Sequence, residues 1–600
     1  MALQPKQAKR RAAFESELGE DKLAITRFDG TEEMSELFQF KVEAVSSDKN
    51  IDFNQVLGTK CKIRINTTDD RKRYFNGFLV EAHSHGKVQD VFSYSVVLRP
   101  WLWLLSKTSN CKIFKEKSVT EIIAEVFQRH SFAKFEDRTG GGYPQLEYCV
   151  QYCESDFQFV SRLMEEYGIF YFFEHSESDH MLVLANSKSA YKARPGGAAL
   201  RYVPYEDKHF QNEETLNDWV KSRQFCSGKF VMKDYYYETP GNSLLSEQSN
   251  PGSYENSSLE VFYFPGRYEQ SSSGDEKAKA WMEAEQSQDE RCRASGDAVS
   301  CSPGGKIELK DHPQVPDGTE FVVLGASHAY RAPSYRATGQ TDDDTYTGNF
   351  EFLPTKIPFR CLQKTPKPRI SGPQTGFVEG SGEIDVDDQG RIEVLFHWSR
   401  DRGDVTSRRV RIAHGWSGAG WGDIKIPRVG MEVVVEFLNG DPDQPLVTGT
   451  VYNGDNKVPY PLQEDKTISG VKSKTDGGDG YNEFIFDDRP SEELIRFHAE
   501  RDLDGTVKHD ERRHVGNDVT VKIDNNRKEN IGMEWKAEAG TKIEFICGQS
   551  SIVMEPAKIT IKSLAIEINA SANLQATGSA MATFESKGIT TITGALVKIN

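Results

Sequence analysis

The sequence predicts a mainly β protein with a few helices, in which an α+β first part is followed by a small five-stranded barrel and a C-terminal intertwined β-prism. Three observations carry this prediction. Apolar residues recur at every second position through much of the chain, two segments show helical spacing behind capping boxes, and the last sixty residues alternate without any signal for a globular core. Six hundred residues exceed what one hydrophobic core normally holds, so several domains are expected.

The first part of the chain mixes strands with helices. Residues 22–105 alternate between short strands and turns. A helix is predicted after Ser118, because Glu121 stands three positions later and completes a capping box. The same spacing predicts a second helix after Ser155, and a third is expected over residues 278–293. This region therefore reads as an α+β domain.

Composition changes divide the remainder into domains. A Pro-rich run at 364–373 marks the first border, and closely spaced short strands then indicate a barrel of the oligonucleotide/oligosaccharide-binding (OB) shape. Its strands are predicted at Arg391–Phe396, Arg409–Ala413, Met431–Phe437 and Leu446–Tyr452. The predicted domains are 1–373, 374–455 for the barrel, 456–540 for a linker and the start of a needle, and 541–600 for the prism.

The C-terminal ribbon cannot bury its own apolar face. Its inward positions are predicted to be Ile559, Ile561, Ile566, Ile568, Ala570, Ala572 and Leu574. One ribbon of this kind would be an adhesive edge in isolation. Copies wound around a common axis bury every inward side chain and pair strands between chains. The sequence therefore predicts an intertwined β-prism, which is a mechanical object.

Charge and composition exclude several classes of protein. There are 91 acidic and 74 basic residues, and the net charge of −17 disfavours phosphate backbones, so no nucleic-acid partner is expected. No apolar stretch follows the basic N-terminal residues, so no signal peptide is expected. The longest apolar runs are too short to cross a bilayer. Nine scattered cysteines do not resemble a disulfide framework. We expect the chain to fold in the cytosol.

The sequence gives only weak signals for catalytic or metal-binding residues. Glu165 and Glu166 are adjacent, and helix neighbours point about 100° apart, so a solvated face is the favoured interpretation. Cys149 and Cys153 would share a strand face but have no second pair of ligands. The GDPDQP turn at 440–445 offers two carboxylates, short of the six to eight oxygens that calcium takes. We expect no enzymatic activity, no cofactor and no metal.

Several motifs carry a resemblance to a known family. One lies in the predicted barrel and comprises Gly390, Arg391, Phe396, His397 and Trp398. With its neighbours it resembles the GRVxVxFHWDR signature of VgrG proteins, the spike of the type VI secretion system, although Ser399 stands where Asp is usual. Residues 151–175, QYCESDFQFVSRLMEEYGIFYFFEH, and 469–488, SGVKSKTDGGDGYNEFIFDD, resemble further family segments. These matches run in the family's order across nearly the whole chain.

The resemblance implies a homotrimer similar to the hub and cell-puncturing needle of contractile phage tails. Residues 1–373 would form the hub base, with two β-barrel-like subdomains and helices, and 541–600 a trimeric needle. Sheath contraction would expel this spike without a chemical step. Implied partners are the Hcp tube protein, baseplate components, a PAAR-repeat tip protein, effectors with their adaptor chaperones and, during puncture, the target cell membrane. The protein would assemble in the cytoplasm and then be secreted or injected.

The end of the ribbon is the expected docking platform for the PAAR tip. Open backbone groups and apolar side chains are expected at Gly594, Leu596, Val597, Ile599 and Asn600. Two alternatives stay open: a spike that also hydrolyses peptidoglycan or another glycan, and a phage-tail hub or spike. We expect no additional enzyme domain, because only the short stretch from Asn453 to Ser469 separates the barrel from the needle and nothing globular follows the ribbon.

Overall fold

The computed structural model describes residues 6–88, 90–207, 213–332, 335, 344–400 and 405–599. The chain divides into two compact units, Met1–Asp502 and Leu503–Asn600, which are considered separately. Strands dominate and helices are few. The mainly β fold predicted from the alternation is therefore confirmed.

The N-terminal body is the strand-rich part of the first unit that precedes the barrel. Its described strands are β1 (Ala12–Glu15), β2 (Ala24–Glu33), β3 (Gln39–Ser46), β4 (Lys60–Asn66), β5 (Lys72–Val88), β6 (Val91–Arg99), β7 (Asn110–Ser118), β8 (Phe135–Arg138), β9 (Gln145–Glu154), β10 (Phe170–His175), β11 (His180–Ala185), β12 (Lys192–Ala193), β13 (Ala199–Tyr202), β14 (Thr215–Arg223), β15 (Lys229–Asp234), β16 (Leu244–Ser249), β17 (Glu260–Tyr263), β18 (Glu290–Gly296), β19 (Gly305–Lys310), β20 (Glu320–Arg331) and β21 (Thr345–Pro354).

One 13-stranded sheet organises this body, in the order β1-β4-β5-β6-β3-β2-β20-β21-β18-β14-β13-β19-β12. Strand β20 also pairs with β19, so six of these strands, β20, β21, β18, β14, β13 and β19, close into a ring. Period-two patterning explains the packing: in β3, Phe40, Val42 and Ala44 point inward. Smaller sheets contain β10-β11-β8, β16-β15-β17 and β7-β9.

The helices of the body are α1 (Trp101–Leu104), α2 (Val119–Gln128), α3 (Asp156–Glu166) and α4 (Ser271–Gln286). Short 3₁₀ turns lie at Phe53–Gln55, Leu105–Lys107, Lys188–Ala190, Tyr205–Asp207 and, in the barrel, Leu438–Gly440. Both predicted capping boxes are present, at Ser118 with Glu121 and at Ser155 with Gln158. None of the described helices combines the length and the apolar character needed to cross a membrane.

The predicted position of α4 was wrong by seven residues at both ends. The sequence predicted 278–293, whereas the helix spans Ser271–Gln286. Gln270 makes no side-chain cap, so the true start carries no local signal. After the helix, β18 pairs with both β14 and β21. Long-range pairing on two edges therefore overrides the helical spacing of its residues.

The barrel contains β22 (Gln374–Glu379), β23 (Glu393–Phe396), β24 (Ser417–Gly418), β25 (Trp421–Gly422), β26 (Glu432–Phe437) and β27 (Pro445–Val451). Its main sheet has the order β23-β22-β26-β27. The strand predicted at 409–413 is reduced to two isolated bridges, Ile392 with Val410 and Ile412 with Val447. These bridges join the two edges of the sheet. The backbone pairing is irregular here because the Val394 N–H donates its hydrogen bond to the Ser407 hydroxyl.

Two antiparallel meanders follow the barrel. The first meander, β28 (Ile468–Lys472), β29 (Glu483–Asp487) and β30 (Leu494–His498), belongs to the first unit. The second meander, β31 (Ile543–Cys547), β32 (Ser550–Glu555) and β33 (Lys558–Lys562), belongs to the second unit. Residues 499–542 and 563–599 contain no regular strand in the single chain. A lone chain therefore pairs only part of its predicted ribbon.

Candidate assembly sites

A buried lysine joins the N-terminal body to the barrel. Lys367, in the Pro-rich border segment, places its Nζ 2.6 Å from Asp441 Oδ1 and 2.5 Å from Asp443 Oδ2. Arg267 of the body also lies 3.4 Å from Asp441. Burial disfavours the Lys367 cation, but the two carboxylates outweigh burial and raise its pKa. The aspartates weighed above as calcium ligands hold a lysine instead.

The two adjacent glutamates of α3 also hold this junction. The Glu166 side chain is only 13% exposed and lies 2.8 Å from Lys277 Nζ, so the solvated-face interpretation was wrong for it. Burial alone would raise the pKa of Glu166, but Lys277 and neighbouring cations lower it to about 2. Glu165 Oε2 accepts hydrogen bonds from the backbone N–H groups of Lys364, at 2.8 Å, and Thr365, at 2.7 Å. Both carboxylates therefore fix the border segment and its surroundings.

Arg391, from the barrel motif, makes a second connection to the body. Its Nε donates to Asp387 Oδ2 at 2.6 Å, while its Nη1 donates to Tyr237 Oη at 2.5 Å and Glu238 Oε1 at 2.6 Å. Gly390 precedes it at a φ of +76°, in the left-handed region that favours glycine. Sequence reasoning identified Arg391 by its motif but had no signal for its partners in the body, Tyr237 and Glu238, which lie more than 150 residues away.

The remaining motif residues build the barrel wall. Phe396 is buried in the core, and Trp398 stacks on it with ring centroids 5.1 Å apart. Trp398 Nε1 also donates to Gln374 Oε1 at 3.2 Å. His397 is exposed, with Nε2 2.8 Å from Thr375 Oγ1. His397 and Trp398 thus have the opposite orientations expected of strand neighbours, and their contacts are those of packing.

A cavity of about 320 Å³ lies where body and barrel meet. Tyr148, Tyr236 and Tyr237 contribute to its wall together with ion pairs such as Arg408 Nη1 to Glu147 Oε2 at 3.2 Å. Among the residues that the structure describes, no group of three or more His, Cys, Asp or Glu side chains is arranged to hold a metal ion. The junction is therefore built from rings and paired charges.

The predicted geometry of two cysteines was wrong. Cys149 is buried, whereas Cys153 is exposed and has a φ of +47°, so they do not share a strand face. The register of β7 and β9 shifts near this point, which brings Cys111 Sγ to 3.3 Å from Cys153 Sγ. All three are free thiols. The sequence carried no signal for this approach across two strands.

The residues predicted for the prism core are uncovered in the single chain. Ile559 and Ile561 lie in β33, and Ile566, Ile568, Ala570, Ala572 and Leu574 follow it without regular pairing. All seven are exposed. The predicted tip residues Gly594, Leu596, Val597 and Ile599 are also exposed, and Asn600 lies outside the described residues. Their roles in the prism and in docking remain predictions.

Three family descriptions match successive parts of the chain. Residues 31–334 match the phage tail baseplate hub (GPD) family. Residues 374–452 match the injector OB domain of type VI secretion systems and phage baseplates. Residues 469–573 match the C-terminal trimerisation domain of bacteriophage T4 gp5. The order of the matches is that of body, barrel and meanders.

Several curated relatives share most of their length with this chain. The type VI secretion system spike protein VgrG1b of Pseudomonas aeruginosa PAO1 is 36% identical over 526 residues, covering 86% of this chain and 71% of the relative. VgrG1a of the same strain is 32% identical over 614 residues, covering 97% and 93%. A more distant relative is named actin cross-linking toxin VgrG1 of Vibrio cholerae, 28% identical, with 50% of its length covered.

Solved structures support the same fold. A Francisella PdpA–VgrG complex aligns with a TM-score of 0.52 at 9% identity, covering 79% of this chain and 76% of the other. The E. coli c3393 protein, described as a type VI secretion component with similarity to T4 tail proteins gp27 and gp5, aligns at 0.50 with 19% identity, covering 72% and 97%. The sequence relatives carry the assignment beyond the fold: this chain belongs to the VgrG family of type VI secretion system spike proteins.

Proposed function

We propose that this protein is the cell-puncturing spike of a type VI secretion system and acts as a homotrimer. The single observation that carries the proposal is the succession of hub, OB and trimerisation matches in a chain that aligns with 93% of a named spike protein. Each part corresponds to a mechanical task. The body forms a base, the barrel a collar and the C-terminal segment a needle.

Exposed apolar residues support the need for identical copies. Prism positions such as Ile566, Ile568 and Leu574 are 55%, 66% and 64% exposed in one chain. Leaving such side chains in water contributes no stability to the chain. Association of three chains covers them, and pairing between chains satisfies the backbone groups of residues 563–599.

The proposed action is mechanical. The body and barrel are joined by buried ion pairs at Lys367 and by Arg391, which suit the transmission of force along the spike. We propose that this chain itself catalyses no reaction. The relative named as an actin cross-linking toxin is about twice as long as its aligned part, since 50% of it is covered.

The proposed partners follow from the two ends of the spike. The wide base stacks on the Hcp tube and contacts the baseplate, while Gly594, Leu596, Val597, Ile599 and Asn600 dock a PAAR-repeat tip. Effectors and their adaptor chaperones are further partners, and PdpA–VgrG is a precedent for a complex between a VgrG protein and another protein. The spike assembles in the cytoplasm and meets the target membrane when it is expelled.

Native mass is the first test. Three chains of 67.6 kDa give about 203 kDa by light scattering. A stable monomer would refute the proposed trimer. The second test is secretion: a strain lacking this gene should lose export of the Hcp tube protein and regain it with the intact gene. Export that is unaffected by the deletion, with no second spike gene present, would refute the spike function.

The tip platform needs its own experiment. Deletion of residues 541–600 is expected to lower trimer stability and to abolish binding of a PAAR-repeat protein, while the first 370 residues stay folded. A substitution confined to the platform, Leu596→Asp with Ile599→Asp, should abolish tip binding and leave the trimer intact, because both residues lie beyond the predicted prism-core positions 559–574. Tip binding that survives both changes would contradict the docking proposal.

A further inference from the structure

Two strands of the N-terminal body bring a pair of thiols together at an irregularity in their pairing. Strands β7 and β9 are antiparallel, but their register shifts next to Cys111, so that this residue faces both Tyr152 and Cys153. Two residues opposite one is the arrangement of a β-bulge, which re-aims side chains. Cys153 has a φ of +47°, in the left-handed region that residues other than glycine rarely adopt. An unusual backbone conformation therefore directs this side chain.

The bulge brings the two sulfur atoms close to each other. Cys111 Sγ lies 3.3 Å from Cys153 Sγ and also accepts a hydrogen bond from the Cys153 N–H at 3.2 Å. A disulfide bond is about 2.0 Å long, so the two sulfur atoms have to approach by only about 1.3 Å more to bond. Rotation about the side-chain bonds supplies movements of this size. The pair is therefore close to bonding distance.

The two thiols differ in their access to solvent. Cys153 is exposed, whereas Cys111 is partly buried. Burial, together with the hydrogen bond to Cys153, raises the pKa of the Cys111 thiol to about 11. Six of the other seven cysteines are buried, and the seventh, Cys547, is exposed in the second unit. An oxidant therefore reaches this pair through Cys153, with Cys111 as the second thiol to react.

We propose that Cys111 and Cys153 form a redox-controlled cross-link, held as two thiols in the cytosol and converted to a disulfide by a small-molecule disulfide such as oxidised glutathione. The Cys153 thiolate attacks one sulfur of oxidised glutathione and releases one glutathione thiolate. The Cys111 thiol then loses its proton, attacks Cys153 Sγ in the mixed disulfide and displaces the second glutathione thiolate. Two electrons pass to oxidised glutathione, and the two cysteine protons are taken up by the departing thiolates.

The cross-link ties together two strands that both contact the barrel. In β9, Tyr152 Oη accepts a hydrogen bond from Gln374 Nε2 at 2.7 Å, and its ring lies 6.2 Å from that of Trp398. In β7, Lys115 Nζ donates to Thr406 Oγ1 at 3.2 Å. A covalent bond between these strands resists their separation at the junction of body and barrel. Oxidation is therefore expected to stabilise the body next to this junction.

The cross-link goes beyond the proposed spike function and takes from it only a change of surroundings. The glutathione pool of the cytosol keeps thiol pairs reduced, whereas disulfides persist in oxidising compartments outside the cytosol. A spike that is expelled passes from the first environment to the second. The β7–β9 pair is therefore expected to be unlinked during assembly and linked after export.

Peptide mass spectrometry tests the cross-link on full-length protein. The variants are Cys111→Ser and Cys153→Ser, with Cys547→Ser as the matched control at an exposed thiol elsewhere. Each protein is incubated with oxidised glutathione at about pH 8, near the ordinary pKa of a thiol, and digested without reductant. Wild type and control should yield a linked Cys111–Cys153 peptide pair that dithiothreitol separates, and the other two variants should not. Wild type with only glutathione on Cys153, or with both thiols unmodified, would overturn the proposal.

Calorimetry provides a readout that incidental oxidation would not move. A bond between residues 42 positions apart restricts the unfolded chain, so oxidation should raise the transition temperature of the body by at least about 3 °C in the wild type. The same treatment should change the transition of Cys153→Ser by less than about 1 °C. A linked protein with the transition temperature of the reduced form would overturn the stabilising role. Neither failure affects the spike function, which native mass and Hcp export test separately.

Discussion

Removal of the buried Lys367 cation should loosen the barrel from the body. The substitution Lys367→Met keeps the length of the side chain and deletes its charge. It leaves Asp441 and Asp443 without the cation that lies 2.6 and 2.5 Å from them. Arg267, at 3.4 Å from Asp441, compensates only one of the two carboxylates. The variant therefore exposes how much the junction depends on a single residue.

The expected magnitude follows from burial. The Lys367 side chain is 7% exposed, and Asp441 and Asp443 side chains are 9% and 19% exposed. Deleting one partner of a buried ion pair typically costs about 3–5 kcal/mol, because the other charge stays buried and unpaired. Partial compensation by Arg267 and uptake of a proton by Asp443 reduce this cost. We expect a loss of about 3 kcal/mol in the free energy of unfolding of the barrel.

Scanning calorimetry and limited proteolysis of the border segment measure the effect. The barrel transition should fall by several degrees, and the chain should become cleavable near 364–373. Lys364→Met is the matched control, since its partner Glu36 lies at the surface and such pairs contribute at most about 1 kcal/mol. Adding Asp441→Asn and Asp443→Asn should recover most of the loss. A Lys367→Met protein no less stable than the control would refute the reasoning.

Three further outcomes are expected. Folding lowers the pKa of Glu166 from 4.5 to about 2, so its stabilising effect is present above pH 4.5 and is lost as the pH falls toward 2. The unfolding temperature of the wild type should therefore drop more steeply over this range than that of Glu166→Gln. Parallel curves for the two proteins would contradict this. Arg391→Met should cost about 2–3 kcal/mol by calorimetry through lost charged hydrogen bonds, with Arg391→Lys recovering only part. Phe396→Ala should lower the free energy of unfolding of the barrel, measured in urea, by about 3–5 kcal/mol. His397→Ala, at an exposed site, should change this free energy by less than about 0.5 kcal/mol.

Local signals predicted the fold well where short-range chemistry decides it. The capping boxes at Ser118 and Ser155 form because the side chain and its partner are three residues apart. Alternation in β3 and in the barrel strands likewise needs only one buried face. The family motif then identified the barrel core, since Phe396 is buried there as a packing residue. These features are encoded within a few residues of one another.

Features that depend on distant partners escaped prediction. Helix α4 was placed too late because strands β14 and β21 claim the residues after Gln286. Glu166 was expected in solvent because Lys277, its partner, lies 111 residues away in sequence. The Cys111–Cys153 approach depends on an irregular register between two strands. No periodicity in one segment can report a contact that a second segment supplies.

The distribution of buried charge and exposed apolar surface separates two mechanical roles within the chain. At the junction of body and barrel, charges such as Lys367 and Glu166 are buried with their partners inside one chain, so the junction is complete before assembly. Beyond the barrel, by contrast, apolar side chains such as Ile566, Ile568 and Leu574 are exposed in the single chain. The junction of body and barrel is thus packed within a single chain, whereas apolar residues beyond the barrel are left exposed by a single chain. In the proposed trimer, association of three chains would cover this surface, so the needle would gain its stability only on assembly.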